Sequence, residues 1–208
     1  MRKRIEYGCA AIMAIMLAFF AILGIMAIVL NVSAKSPQHV PDSLNMGTYS
    51  VAYDPDLLIP VGADWVIDSQ FLGSAKRVPS WRFCEDPRVD RPRASHDDYT
   101  RSGYDRGHMC PAGDRSASTD LMRSTFIMTN VAPQTPSLNR GAWMQMEELC
   151  RSLARDGHSL AIHVDAVFWH ADTQRIGSHR VAVPHAFVKT VRDLFTDTIC
   201  QAKYFQND

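Results

Sequence analysis

Apolar and polar positions divide the chain into three stretches. From Gly8 to Leu30 no residue carries a charge and most are apolar, a run of 23. Wound as a helix, the run is about 34 Å long at roughly 1.5 Å per residue. A bilayer core is about 30 Å thick. Arg2, Lys3 and Arg4 precede it. Residues 1–7 therefore read as a cytoplasmic basic tip and 8–30 as a single-pass transmembrane anchor, with the rest of the chain in the periplasm or exterior. Val32-Ser33-Ala34 also offers small residues for signal cleavage, which gives a secreted form as the alternative. Residues 31–60, with Pro37, Pro41, Pro55 and Pro60, read as a tether with little regular structure. A single domain over residues 61–208 is expected beyond it.

Inside that domain the pattern alternates between strand and helix periods. Trp65 to Leu72 fits a strand, and residues 73–100 read as a long irregular surface segment. Asp114–Arg123 predicts a short helix capped by Ser118 or Thr119. Phe126–Val131 predicts a strand broken by Pro133 and Pro136. From Asn139 to Arg155, Trp143, Met146, Leu149, Cys150 and Leu153 recur at helical spacing, and Gly157 follows as a stop. Leu160–Phe168, Arg180–Pro184 and Phe187–Val191 read as further strands. Strands and helices mix without a regular βαβ rhythm, so an α+β domain is expected.

Charge narrows the partners. Without residues 1–34, 19 basic and 21 acidic side chains remain, so any nucleic acid must be met by a local patch. Between Lys76 and Arg123, nine of ten basic residues are arginine, whose planar fork suits phosphate oxygens. Eight acids share that stretch, which leaves a solvated mixed-charge face as the alternative. Cys84, Cys110, Cys150 and Cys200 lack any C-x-x-C spacing, which argues against zinc. They permit three disulfide connectivities, or a buried thiol at Cys110.

Two runs carry chemistry: Tyr104-Asp105-Arg106-Gly107-His108-Met109-Cys110-Pro111, and Thr129-Asn130-Val131-Ala132-Pro133-Gln134 with Asn139, Trp143 and Glu147 after it. Asn139 and Glu147 are eight residues apart, on neighbouring positions of one helix side. An amide oxygen at Asn139 is a hard ligand suited to magnesium, which readily keeps water and substrate phosphate as its other ligands. A neutral His108 in the same pocket can take a proton from an attacking water. Glu147 can orient a water, and Arg106 or Arg77 can hold a phosphate oxygen. Each residue has a plainer role when taken alone: a structural histidine, an Asn helix cap, an exposed helix glutamate, and an Asp105–Arg106 surface pair.

The combination resembles the DNA/RNA non-specific endonucleases, the ββα-metal nucleases of the endonuclease G type. Asp105-Arg106-Gly107-His108 matches their signature. Ser102-Gly103-Tyr104, Thr125-Phe126, Asn130-Val131-Ala132-Pro133-Gln134, Leu138-Asn139, Ala142-Trp143, Glu147 and Val181-Ala182-Val183-Pro184 with Phe187 and Lys189 follow their pattern in order. The resemblance covers about Trp65 to the carboxyl end.

It implies a ββα-metal nuclease fold, with a central, mainly antiparallel sheet flanked by helices. It implies a sugar-non-specific endonuclease that cuts DNA and RNA to 5′-phosphate ends with magnesium, or manganese in its place. His108 falls on the general base and Asn139 on the single protein metal ligand. Glu147 and Asn130 fall on supporting catalytic positions, and Arg106 on a residue of the signature that touches substrate. Arg77 is the candidate phosphate clamp. A second copy is a further expected partner, since dimers are common in this family. Cys110 in place of a small apolar residue, and Asp165-Ala166-Val167-Phe168 without a Gly-Pro, depart from the pattern. The alternatives are a catalytically silent nucleic-acid-binding module at the membrane and a small-molecule phosphodiesterase.

Overall fold

A computed structural model describes residues 42–90, 92–169 and 173–208. The basic tip, the apolar run and residues 31–41 of the expected tether lie outside these described residues. Among the described residues, no helix is long and apolar enough to cross a membrane.

The rest of the expected tether is regular structure. Strand β1 covers Asp42–Asn45, β2 Tyr49–Asp54 and β3 Ile59–Ile67. The prolines misled because they sit at the ends of elements. Tyr49, Val51 and Tyr53 alternate inward and are almost fully buried, a period-2 signal of an inward-facing strand. Pro55 lies in the following turn, where the Asp54 carboxylate accepts from the Asp56 and Leu57 amides. Pro60 pairs with Tyr53 beside a register shift, where a strand tolerates proline. The strand expected from Trp65 ends at Ile67, because Asp68 caps a 3₁₀ turn over Ser69–Phe71.

Strand β4 is Asp105–His108, helix α1 Thr119–Ser124 and β5 Val131–Gln134. Ser118 caps α1 by accepting from the Leu121 amide. The expected strand over 126–131 is displaced: Met128–Asn130 is a 3₁₀ turn and the strand runs through Pro133. β5 pairs with β4 alone, so it has an edge for a residue without an N–H. Helix α2 (Pro136–Leu138), a π-turn over Asn139–Trp143 that is kinked at Gly141 (φ −110°, ψ −112°) and helix α3 (Met144–Arg155) follow. Then come β6 (Leu160–Val167), β7 (Arg175–Ile176), β8 (Val181–Ala182), β9 (Ala186–Asp193) and β10 (Thr198–Gln206).

The main sheet has the order β1-β2-β3-β6-β9-β10, and every pair in it is antiparallel. Trp143, Met146, Cys150 and Ala154 form the buried side of the helical segment, whereas Leu149 is exposed. Trp143 packs on Phe187 and Phe205 at 5.5 and 5.2 Å between ring centres, which places the helix against the end of the sheet formed by β9 and β10. The four cysteines from Cys84 onward are free thiols, with Cys110 and Cys150 buried.

Candidate active site

The two sequence runs meet as one antiparallel pair. Asp105 lies opposite Gln134, Gly107 opposite Ala132 and His108 opposite Val131. Gly107 is required there, because a Cβ would sit 2.4 Å from the Gln134 side chain. Beyond His108 the chain is held by Asn130. Its side chain accepts from the Cys110 amide at 2.9 Å and donates to the carbonyls of Cys110 and Thr125 at 3.0 and 3.1 Å. The pair and the helix after it make a strand–strand–helix unit around a cleft of about 400 Å³. Arg77, His108, Asn139 and Glu147 line it, together with Arg151 and Arg155.

His108 is wedged between Phe83 and Phe126, at 4.9 and 5.1 Å between ring centres. Its Nε2 is buried without a partner. The residue keeps some surface in solvent, but its ring lies deep enough that burial, helped by the Arg77 charge, drives its pKa down to about 3. The imidazole is therefore neutral at any physiological pH.

Asn139 opens the π-turn, the kind of helix irregularity that recurs at functional sites. Its Nδ2 donates to Asp105 at 2.9 Å. Since a carboxylate can only accept, this bond fixes the amide orientation and leaves Oδ1 as the end available to another partner. Arg140 holds the same carboxylate with two bonds, at 2.8 and 2.6 Å.

Glu147 lies in the cleft wall with 15% of its side chain exposed. Burial raises its pKa to about 7, against the charges of Lys189 and Arg151 and with the help of Asp114. Arg151 lies 3.7 Å from Glu147 and 3.0 Å from Asp114, while the Trp65 indole donates to Asp114 at 2.9 Å. Lys189 is buried with its ammonium 3.7 Å from the Trp143 ring centre, a cation–π contact beneath the carboxylates.

Four of the six site residues read from the sequence share the cleft: His108, Asn139, Glu147 and Arg77. Two do not line it. The Arg106 guanidinium is turned to the 96–100 segment, donating to the His96 carbonyl at 3.1 and 2.6 Å and to Thr100 at 3.1 Å. Asn130 is fully buried and spends its amide on the loop after His108. Both position the pair from outside the cleft. Sequence reasoning missed Asp105, which pairs with Asn139 and Arg140 and not with its neighbour Arg106. It also missed Arg151, although Arg151 stands four residues after Glu147 on the same helix face. For Asp114 the sequence carries no signal.

The donors suit a hard, hydrated cation. Among the described residues no group of three His, Cys, Asp or Glu side chains could form a metal cage. One oriented amide oxygen near a carboxylate instead matches the sparse protein ligation that magnesium accepts.

The chain is similar to known proteins. The family model for DNA/RNA non-specific endonucleases matches residues 30–205. A nuclease from Nostoc sp. is 35% identical over 135 residues, covering 64% of this chain and 49% of its own. Mitochondrial endonuclease G from Homo sapiens is 34% identical over 158 residues, covering 69% of this chain and 52% of its own. The chain thus spans about half the length of these curated relatives. A crystal structure of an EndoG/EndoGI complex superposes with a TM-score of 0.73, covering 86% of this chain and 80% of that one at 22% identity, which shows an endonuclease G-like fold. With its paired strands, its following helix and a family match across most of its length, the chain belongs to the DNA/RNA non-specific endonuclease family.

Proposed function

We propose that this protein is a magnesium-dependent, sugar-non-specific endonuclease that hydrolyses phosphodiester bonds in DNA and RNA and leaves 5′-phosphate ends. The observation that carries the reading is the meeting of a neutral His108, an oriented Asn139, a half-buried Glu147 and Arg77 on one cleft. When bound at Asn139, magnesium, or manganese in its place, supplies positive charge against the phosphate. Arg77 holds a non-bridging phosphate oxygen. His108 takes the proton from the water that attacks phosphorus as the bond to the 3′ oxygen breaks. An anionic phosphodiester beside the ring offsets the Arg77 charge and raises the base strength of the imidazole once substrate is in place. Glu147 orients the water by hydrogen bonding.

An ordinary histidine titrating near 6.5 would set the acid limb of activity. In the free protein His108 lies far below that, and Glu147 is the cleft group that titrates near neutrality. The acid limb of kcat/KM, which reports the free enzyme, is therefore assigned to Glu147 near pH 7. From the apolar run Gly8–Leu30 we further infer that the domain faces away from the cytoplasm.

The test is nicking of supercoiled plasmid and of an RNA by the full chain, with magnesium and with EDTA. Cleavage should need the metal and should vanish in His108→Ala. Full activity in that variant would refute the role of His108, and tight DNA binding without cleavage in any divalent ion would favour a silent binding module.

A further inference from the structure

We propose that Trp169 and Tyr204 form a stacking platform for an unpaired nucleobase, a subsite outside the catalytic cleft. The inference rests on the nuclease reading and adds a form of substrate to it.

The platform lies where β6, β9 and β10 meet at one end of the main sheet. The Trp169 indole is nearly parallel to the His185 imidazole, at 5.3 Å and 19°, and to the Tyr204 ring, at 6.3 Å and 11°. The imidazole is itself held in place. The Trp169 amide donates to His185 Nδ1 at 3.3 Å, and Phe168 meets the same imidazole edge-on at 6.4 Å. Trp169 is 38% exposed and Tyr204 40%, so both large rings keep surface in solvent while locked in one plane direction.

Three successive hydrogen bonds connect this ladder to the cleft. The Asn207 amide donates to the His185 carbonyl, the Thr135 amide to the Asn207 side chain, and the Asn139 amide to the Thr135 carbonyl. The platform is thus tied to the segment that carries Asn139. In the proposal, one strand engages both the cleft and the rings.

The chemistry selects the occupant. Rigid, near-parallel rings recognise a flat π face. Asp208, hydrogen-bonded to Gln206 and close enough to Tyr204 to perturb it, disfavours a phosphate or an anionic lipid headgroup at the same spot. Affinity there comes from the base and not from the backbone. Bases inside a duplex are already stacked, so the platform takes an unpaired base from single-stranded DNA or RNA.

The test compares two fluorescent oligomers binding to the full chain in EDTA: an oligothymidylate and an abasic phosphodiester of equal length. Trp169→Ala should weaken oligothymidylate binding about tenfold and leave the abasic oligomer unchanged, with Trp169→Phe retaining most of the affinity and Tyr204→Leu reproducing the loss. A thermal melt shows that each variant is folded. Unchanged oligothymidylate binding in Trp169→Ala overturns the proposal, as does an equal loss for both oligomers. Loss of binding to neutral phosphatidylcholine vesicles with oligothymidylate affinity intact assigns the rings to a membrane and overturns it too. Metal-dependent plasmid nicking by the unaltered protein tests the nuclease reading separately, so the platform can fail while that reading stands.

Discussion

Replacing Glu147 by glutamine should stabilise the folded protein, and more strongly as the buffer becomes more alkaline. The unfolded chain releases this proton near 4.5, whereas the folded protein holds it to about 7. Between those values the folded state binds more protons, so stability falls as pH rises through the window and stays low above it. Below 4.5 both states are protonated and the group has no effect. The penalty from the ionised side chain is then about 1 kcal/mol at pH 5 and about 3 kcal/mol at pH 8. Glutamine removes that penalty. It also removes the 3.7 Å attraction to Arg151, but Arg151 keeps Asp114 and Glu148, each at 3.0 Å. That attraction is already contained in the folded pKa, so the variant should gain about 3 kcal/mol at pH 8 and only about 1 kcal/mol at pH 5. Urea denaturation of both proteins at the two pH values, in EDTA, measures this directly. A stability difference independent of pH, or a variant less stable at pH 8, would refute a strained carboxyl group. Activity should fall in the same variant, so stability and catalysis would be seen to oppose each other at one residue.

Acid should unfold the protein partly through His108. Its folded pKa of about 3 lies below the unfolded 6.5, so stability present above pH 6.5 is lost as pH falls towards 3. His108→Asn should flatten that part of a stability–pH curve. Asp105→Ala frees the Asn139 amide to rotate, so the magnesium concentration for half-maximal nicking should rise about 10- to 100-fold. Gly107→Ala drives a methyl into the buried Gln134 side chain, so urea titration should show a loss of about 1–3 kcal/mol or more. Arg151→Met leaves Asp114 in the interior without its cation, a loss of about 3–5 kcal/mol that the same titration would reveal.

Periodicity identified the elements that bury one clear face. Trp143, Met146 and Cys150 mark the inner side of the long helical segment, and Leu160–Val167 is a strand between two others. It failed where composition hid the pattern. Prolines at the element ends disguised β2 and β3 as tether. β10 shows no alternation because, apart from Phe205, its residues are exposed. That His108, Asn139 and Glu147 share one cleft was legible from residue type and order. Asp105 and Asp114 act through contacts across 34 and 37 residues, which spacing alone cannot reveal, whereas Arg151 stood at helical spacing from Glu147. Arg106 shows the converse: its place in the signature suggested a substrate contact, but a carbonyl ten residues upstream captures its guanidinium.

The turn over Asn139–Trp143, kinked at Gly141, sets the phase between the Asn139 amide and the Glu147 carboxylate on the helix that follows. Each residue of an α-helix rotates its neighbour by about 100°. Removing or adding one residue between positions 140 and 142 would leave Glu147 docked by its own helix while swinging Asn139 a quarter-turn or more around the axis. The length of this short segment is thus as much a component of the proposed catalytic centre as any side chain in it.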